Sequence, residues 1–225
     1  IMGERLNPTG RIPLQNALIS GDLDYVVSLG LDQVEEGAEI LNMNVGLPEL
    51  DEKAMMPKVI KTLQEIINVP IQLDSSNVDA LEQGLRYYNG RTIVNSINGK
   101  EESLNSILPI VQKYGAAVVG LTLDENGIPK TAEGRFEIAK KIVERAESYG
   151  VRRQDIFIDC LSLTVSAQQE EAMETIKAMR MVKENLGCKT ILGVSNISFG
   201  VPNRSALNST FLNLALGAGL DLAII

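Results

Sequence analysis

Residues 40–74 read ILNMNVGLPELDEKAMMPKVIKTLQEIINVPIQLD. A short apolar run ends on Asn42 and Asn44, Asp51 stands at a helix N-cap position, an amphipathic stretch covers Glu52 to Ile67, and a second apolar run ends on Asp74. Two like strands joined by a helix form a crossover, which demands parallel pairing. The unit repeats outward in both directions. Strands are expected over Ile1 to Arg5, Glu39 to Val45, Ile71 to Asp74, Thr92 to Ile97, Ala116 to Leu123, Asp155 to Cys160, Thr190 to Val194 and Leu220 to Ile225. Between them, helical periodicity covers Asp22 to Glu36, Glu52 to Ile67, Asn77 to Tyr88, Glu101 to Tyr114, Thr131 to Tyr149, Ala167 to Leu186 and Ser205 to Gly217. Asn77 is a second N-cap, and Gly90, Gly115, Gly150 and Gly187 follow helical runs where a left-handed residue is wanted. The pairs Asn89-Gly90, Asn98-Gly99 and Asn126-Gly127 flank helices or sit in loops, so they read as ordinary turns. Eight strands is the number that closes a TIM (β/α)8 barrel, here with the helix after the last strand missing. A doubly wound open sheet is the alternative, because spacing alone does not prove closure.

The strand ends share a chemistry. GERLN carries Glu4 and Asn7, ILNMN carries Asn42 and Asn44, and PIQLD, TIVN, IFID and LGVSN end on Asp74, Asn95, Asp159 and Asn196. In a parallel sheet the C-terminal ends converge on one rim, so these groups would line one pocket. For any single one of them a helix cap is the commoner reason; for the whole set a pocket is.

Composition narrows the chemistry. The chain has 225 residues, 44% hydrophobic and 22% charged, fitting one globular domain that reads as a segment cut at both ends from something longer. A net charge of −8 argues against a nucleic-acid groove. No apolar run reaches the roughly 20 continuous residues of a membrane helix. No secretory signal precedes the first strand, and Cys160 and Cys188 form no disulfide framework, so a cytoplasmic setting is expected. Histidine is absent, which removes Ser-His-Asp and Cys-His nucleophiles, the HExxH zinc helix and imidazole acid/base chemistry. No metal ligand set is assigned. Catalysis must use carboxylates, amides, hydroxyls, lysine, backbone or a partner's cofactor.

Asp74 and Asp159 can each accept paired N–H donors from a flat heterocycle such as the amidine-like edge of a pterin, with charge-assisted bonds. Asn95 and Asn196 donate and accept at once, suiting ring positions that alternate. The motifs GERLNPTG (3–10), LNMNVGLPELDE (41–52), PIQLDSSN (70–77), TIVNSIN (92–98), GLTLDENGIPKTAE (120–133), DIFIDCL (155–161), LGVSNISFGVPNR (192–204) and LNSTFLNLALGAGLDLAI (207–224) cover essentially the whole chain. Together they resemble the pterin-binding domain of methyltetrahydrofolate-dependent corrinoid methyltransferases. That family includes the folate domain of cobalamin-dependent methionine synthase and stand-alone enzymes acting on corrinoid proteins.

The resemblance implies a TIM barrel that binds 5-methyltetrahydrofolate and passes its methyl group to Co(I) of a corrinoid (cobalamin) on a partner protein or domain, with homodimers expected for a stand-alone form. It implies that Asp74, Asn95 and Asp159 hold the pterin beside Asn7, that Asn196 lies near N5, and that Ser198 and Arg204 share its loop, Arg204 contacting folate or a neighbouring carboxylate. Glu4 is expected to support the site. Asn196 and Asp159 are the expected catalytic pair. Where the family more often has Asp-x-Asn, this chain reads Asn42-Met43-Asn44. Dihydropteroate synthase, a related pterin barrel, and a folate-binding module without catalysis are the alternatives; the former would bring a basic cluster and a histidine.

Other signals read structurally. Gly217-Ala218-Gly219 precedes a strand and lacks the third glycine of a dinucleotide fingerprint. Cys160 reads as a buried thiol, Lys189 stands at the wrong end of its strand for a Schiff base, and Met55, Met56, Met173, Met179 and Met181 read as packing residues. The Glu170-Glu171 pair reads as a solvated helix face.

Overall fold

A computed structural model describes residues 1–166 and 171–225. Along them run β1 (Met2–Leu6), α1 (Ile12–Ser20), α2 (Leu23–Glu35), β2 (Ile40–Asn44), α3 (Glu52–Ile66), β3 (Ile71–Asp74), α4 (Val78–Tyr87) and β4 (Ile93–Asn98). There follow α5 (Glu101–Tyr114), β5 (Ala117–Leu121), α6 (Ala132–Ser148), β6 (Ile156–Asp159), α7 (Glu171–Met181), β7 (Lys189–Gly193), α8 (Arg204–Gly217) and β8 (Leu222–Ile224). The strands form a closed barrel in sequence order, and the registered neighbours are parallel. The expected TIM barrel is therefore what the chain adopts, and the open sheet is excluded.

Two compact units divide the chain, the first comprising residues 1–96 and 113–117 and the second residues 97–112 and 118–225. In the first, register explains why polar residues sit two apart in otherwise apolar strands. Asn42 lies opposite Gln72, and Asn44 opposite Asp74, which in turn lies opposite Asn95. Alternation sends these side chains to one face and Leu41, Met43, Ile71, Leu73 and Val94 to the other. That second face meets the helices: a Cβ built on Gly30 of α2 would lie 3.4 Å from Leu41 Cδ1, and one on Gly84 of α4 would lie 3.0 Å from Leu73 Cδ1. Both faces are covered, as parallel strands require.

In the second unit Gly120 of β5 plays the same part against α6, where an added Cβ would stand 2.7 Å from Ile142 Cγ2. Asp51 and Asn77 cap their helices as expected, Asp51 accepting from the Lys53 and Ala54 N–H groups and Asn77 from those of Asp79 and Ala80. The turn at Asn126-Gly127 is tighter than expected, closing an antiparallel bridge between Asp124 and Gly127.

Four local expectations need correction. Helix α1 carries no sequence signal strong enough to announce it: Arg11 offers no capping side chain, and Pro13 sits in the first turn, where its missing N–H is not needed. Its buried Leu14, Ala17 and Leu18 nevertheless follow helical spacing. The expected helix to Leu186 stops being α-helical at Met181 and finishes as a π-helical turn over Val182–Leu186, closed by left-handed Gly187; its expected start at Ala167 lies outside the described residues. Met56 and Met179 are fully buried, but Met173 is exposed, so it does not pack. Glu170 also lies outside the described residues, while Glu171 is not a solvated group: it pairs with the buried Arg135 at 2.9 Å.

Gly84 marks the tightest approach of α4 to its neighbours, since a Cβ there would stand 2.7 Å from the sulfur of fully buried Met56. We expect Gly84→Val to lower stability by about 2 kcal/mol through overpacking, without the helix-propensity gain that alanine would bring. Urea unfolding followed by circular dichroism measures it.

Candidate functional site

In the first unit Glu4, Asn7, Asn42, Gln72 and Asp74 form one connected network. Asn42, only 1% exposed, donates through Nδ2 to Glu4 Oε2 at 2.8 Å and to Asp74 Oδ2 at 3.1 Å. Its Oδ1 accepts from Gln72 Nε2 at 2.8 Å. Asn7 donates to the other oxygen of Glu4 at 2.8 Å, and its own Oδ1 accepts from the Thr9 N–H. Neutral amides therefore stand between and beside two carboxylates. Burial raises the pKa of Glu4, opposed by hydrogen bonds from Asn7 and Asn42. Burial likewise raises that of Asp74, opposed by Asn42 and Asn44, while the charge of Glu52 raises it further.

Glu52 is itself placed by β3's following turn, accepting from the Ser75 hydroxyl. Asn44 Oδ1 accepts from the Gly46 N–H, which folds the loop after β2 back toward the strand end. The backbone oxygen of Asn95 accepts from the Ser75 N–H, leaving its side chain half-buried at the end of the row that holds Asn44 and Asp74. Each of these groups has acceptor or donor capacity for a planar ligand edge; an ionised carboxylate alone offers about four lone-pair positions.

In the second unit Asp159 ends β6 and is 8% exposed. Its Oδ1 accepts from the N–H of Leu161 at 2.7 Å, a residue itself held at φ +59°. Burial pushes its pKa up to about 7, against the opposing effects of that N–H and of Arg135. Arg135 is fully buried, and it braces the segment after β6 by donating to the carbonyls of Cys160 and Leu161, to Thr175 Oγ1 and to Glu171. Cys160 is buried with its pKa raised by desolvation and then by the charge of Asp159, which keeps it a thiol.

Asn196 lies on a 3-10 turn over Val194–Ser198, with its amide exposed. Gly193 makes this possible, because a Cβ there would lie 2.9 Å from Asn196 Nδ2. Ser198 is fully buried, donating to the Ser195 carbonyl and accepting from Arg204 Nε at 3.0 Å. Arg204 also donates to the Ser195 carbonyl and lies 4.8 Å over the Phe199 ring. In these contacts Ser198 and Arg204 hold the turn that carries Asn196.

Sequence reasoning missed Gln72 and Arg135. Gln72 stands two residues before Asp74, the same two-residue interval that relates Asn42 to Asn44, and that interval was the available signal. Arg135 had none: it is one arginine among several on helices, and only the fold shows that it is buried.

A closed parallel barrel whose strands carry carboxylates and carboxamides toward their C-terminal ends is a barrel of the TIM type. The family described as pterin binding enzyme matches residues 3–225, and the chain belongs to that family. It is 37% identical over its whole length to methionine synthase of Mycobacterium leprae (strain TN) and 36% identical to that of Mycobacterium tuberculosis (strain ATCC 25618 / H37Rv). In each case it spans 20% of the relative, about a fifth of that length. These matches bear out the resemblance to the methyltetrahydrofolate:corrinoid methyltransferase family. Among solved structures, a Yersinia pestis dihydropteroate synthase with a pterine-sulfa conjugate superposes at TM-score 0.75 and 14% identity, covering 99% of this chain and 84% of that one. Dihydropteroate synthase of Xanthomonas albilineans in complex with indole-2-carboxylic acid and 6-chloroguanine gives TM-score 0.72 and 16% identity, covering 99% and 85%. At that identity the likeness speaks for the fold.

The raised pKa of Asp159 has a sign for stability. Between its ordinary range near pH 4 and about 7 the folded chain retains a proton that the unfolded chain releases, so stability falls as pH rises through that window. We expect Asp159→Asn to flatten this part of the profile and to gain stability at about pH 8, by at most on the order of 4 kcal/mol. Urea melts across the window test it; the slope from Glu4 and Asp74 persists in the variant, and a wild-type profile already flat near neutrality would contradict the assignment.

Proposed function

We propose that this chain binds 5-methyltetrahydrofolate and positions its N5-methyl group for transfer to Co(I) of a corrinoid carried by a partner protein or another domain. The observation that carries the reading is identity of 36–37% to two methionine synthases along the whole chain, set against 14–16% to the dihydropteroate synthases. The residue chemistry fits it. Asp74 and Asp159 would accept from the 2-amino and N3–H edge of the pterin, with Asn95 and Asn7 meeting ring positions that donate or accept. Asn44 and Glu4 support the first of these carboxylates and its neighbours, and Ser198 and Arg204 support the turn bearing Asn196.

The corrinoid, when docked, supplies the nucleophile; with no histidine this chain offers its cobalt no imidazole. A tertiary amine leaves poorly, so N5 must gain positive charge before or during attack. The exposed amide of Asn196 can accept from a protonated N5 through Oδ1 or donate to the neutral amine through Nδ2. Interactions that strengthen as this charge develops lower the barrier, rather than merely tightening binding. The braced 3-10 turn holds the backbone of Asn196 and leaves its amide free to rotate for that change. Asp159, buried and titrating near neutrality, would hold or release a proton in the same network.

Stopped-flow mixing of the protein with cob(I)alamin and 5-methyltetrahydrofolate, following loss of Co(I), tests the reading. We expect methyl transfer in the wild type, a fall of about a hundredfold or more in rate at saturating folate for Asn196→Ala, and chiefly weakened folate binding for Asp74→Ala. Tight folate binding without loss of Co(I) would mean a storage module. Formation of dihydropteroate from p-aminobenzoate and a pterin diphosphate would mean a synthase.

A further inference from the structure

The amide of Asn42 is placed where its two hydrogens reach two different carboxylates. Both neighbours on that side, Glu4 Oε2 and Asp74 Oδ2, are acceptors when ionised, so only Nδ2 can face them. The opposite face is fixed in turn, because Oδ1 accepts from Gln72 Nε2. That leaves Gln72 Oε1 as a buried oxygen with no partner among the described residues, the cost of holding Asn42 in one orientation. A chain that needed only to fill this space could have done so with an apolar side chain and no orphaned acceptor.

We propose that Asn42 is a positioning residue that keeps Glu4 and Asp74 ionised side by side, so that Asp74 meets the ligand as a fixed, charged acceptor. This rests on the pterin-binding reading for the identity of the ligand, but not for the network itself. Two carboxylates sharing a site without a donor between them cannot both ionise at neutral pH at small cost, and one takes up a proton. An amide supplies two hydrogens at that point without adding charge. An aspartate there would add a third carboxyl group and remove both hydrogens. The other charged groups acting on this cluster are Glu52 on α3, which disfavours ionisation of Asp74, and Arg11 before α1, which favours ionisation of Glu4; Asn7, Asn44 and Gln72 are neutral.

The test compares the full-length wild type with Asn42→Asp and Asn42→Leu, each checked for folding by circular dichroism. The binding probe is 5-methyltetrahydrofolate, and the readout is the ratio of variant to wild-type Kd at each pH, which cancels the background titration of Asp159. For Asn42→Asp we expect binding about tenfold weaker near pH 8, recovering toward about pH 5.5 as a shared proton replaces the amide hydrogens. For Asn42→Leu we expect weaker binding at both. A ratio independent of pH in the aspartate variant, or unchanged binding in the leucine variant, would overturn the proposal. A second measurement needs neither ligand nor variant: carboxyl 13C NMR of the wild type should show Glu4 and Asp74 both ionised at neutral pH, and finding one of them protonated refutes the role. Should the wild type fail to bind 5-methyltetrahydrofolate, the functional reading falls, and the NMR titration alone decides this one.

Discussion

A buried carboxylate costs several kcal/mol unless hydrogen bonds hold its charge, and the strand ends of this barrel are arranged around that constraint. The two units meet it differently. In the first, neutral carboxamides do the work: Asn7 and Asn42 on Glu4, Asn42 on Asp74, with Gln72 behind Asn42. In the second, among the described residues, Asp159 has one backbone N–H and the distributed influence of Arg135, whose own hydrogen bonds go to the carbonyls and side chains around it. Amide donors on both sides leave the first pair dependent on geometry; a single donor leaves Asp159 near its titration point. The same residue type at the same structural position is thus set for different behaviour by what surrounds it.

The fold was legible because the barrel repeats. Most strands are short, largely apolar runs with a helix between one and the next; Asp51 and Asn77 announce their helices because the capping contacts are local in sequence. Where information was not local, the reading failed. Helix α1 lacks a capping side chain, and the end of α7 changes hydrogen-bond spacing over Val182–Leu186, which composition does not encode. Glu171 looked like half of a charged surface pair, because its partner Arg135 is 36 residues away.

The candidate site follows the same division. Asp74 and Asp159 stand at strand ends, so sequence alone could single them out; Asn95, expected at an end, lies inside β4, which runs on to Asn98, in register with Asp74. That Asn42 joins Glu4 to Asp74 was not legible, since the three come from different strands and meet only through register. What the amide of Asn42 brings to that junction is two N–H donors. Likewise Ser198 and Arg204 appeared beside Asn196 in a motif, but their contacts are with Ser195, Phe199 and each other. They shape the turn from beneath.

The groups assigned to recognition and reaction are held in two mechanical grades. Groups on β2, β3 and β6 are fixed by strands buried on both faces, whereas Asn196 rides on a short 3-10 turn. A heterocycle is recognised by several hydrogen bonds at once, and rigid strand ends hold those donors and acceptors at constant spacing. A group that must follow a change of charge at one nitrogen needs instead to choose which atom it presents. An exposed amide on a turn can rotate, and the Arg204 brace limits that freedom to the side chain. On the proposed chemistry, recognition belongs to the strands and response to the turn, and a chain without histidine can perform both with amides and carboxylates, provided the nucleophile arrives from a partner.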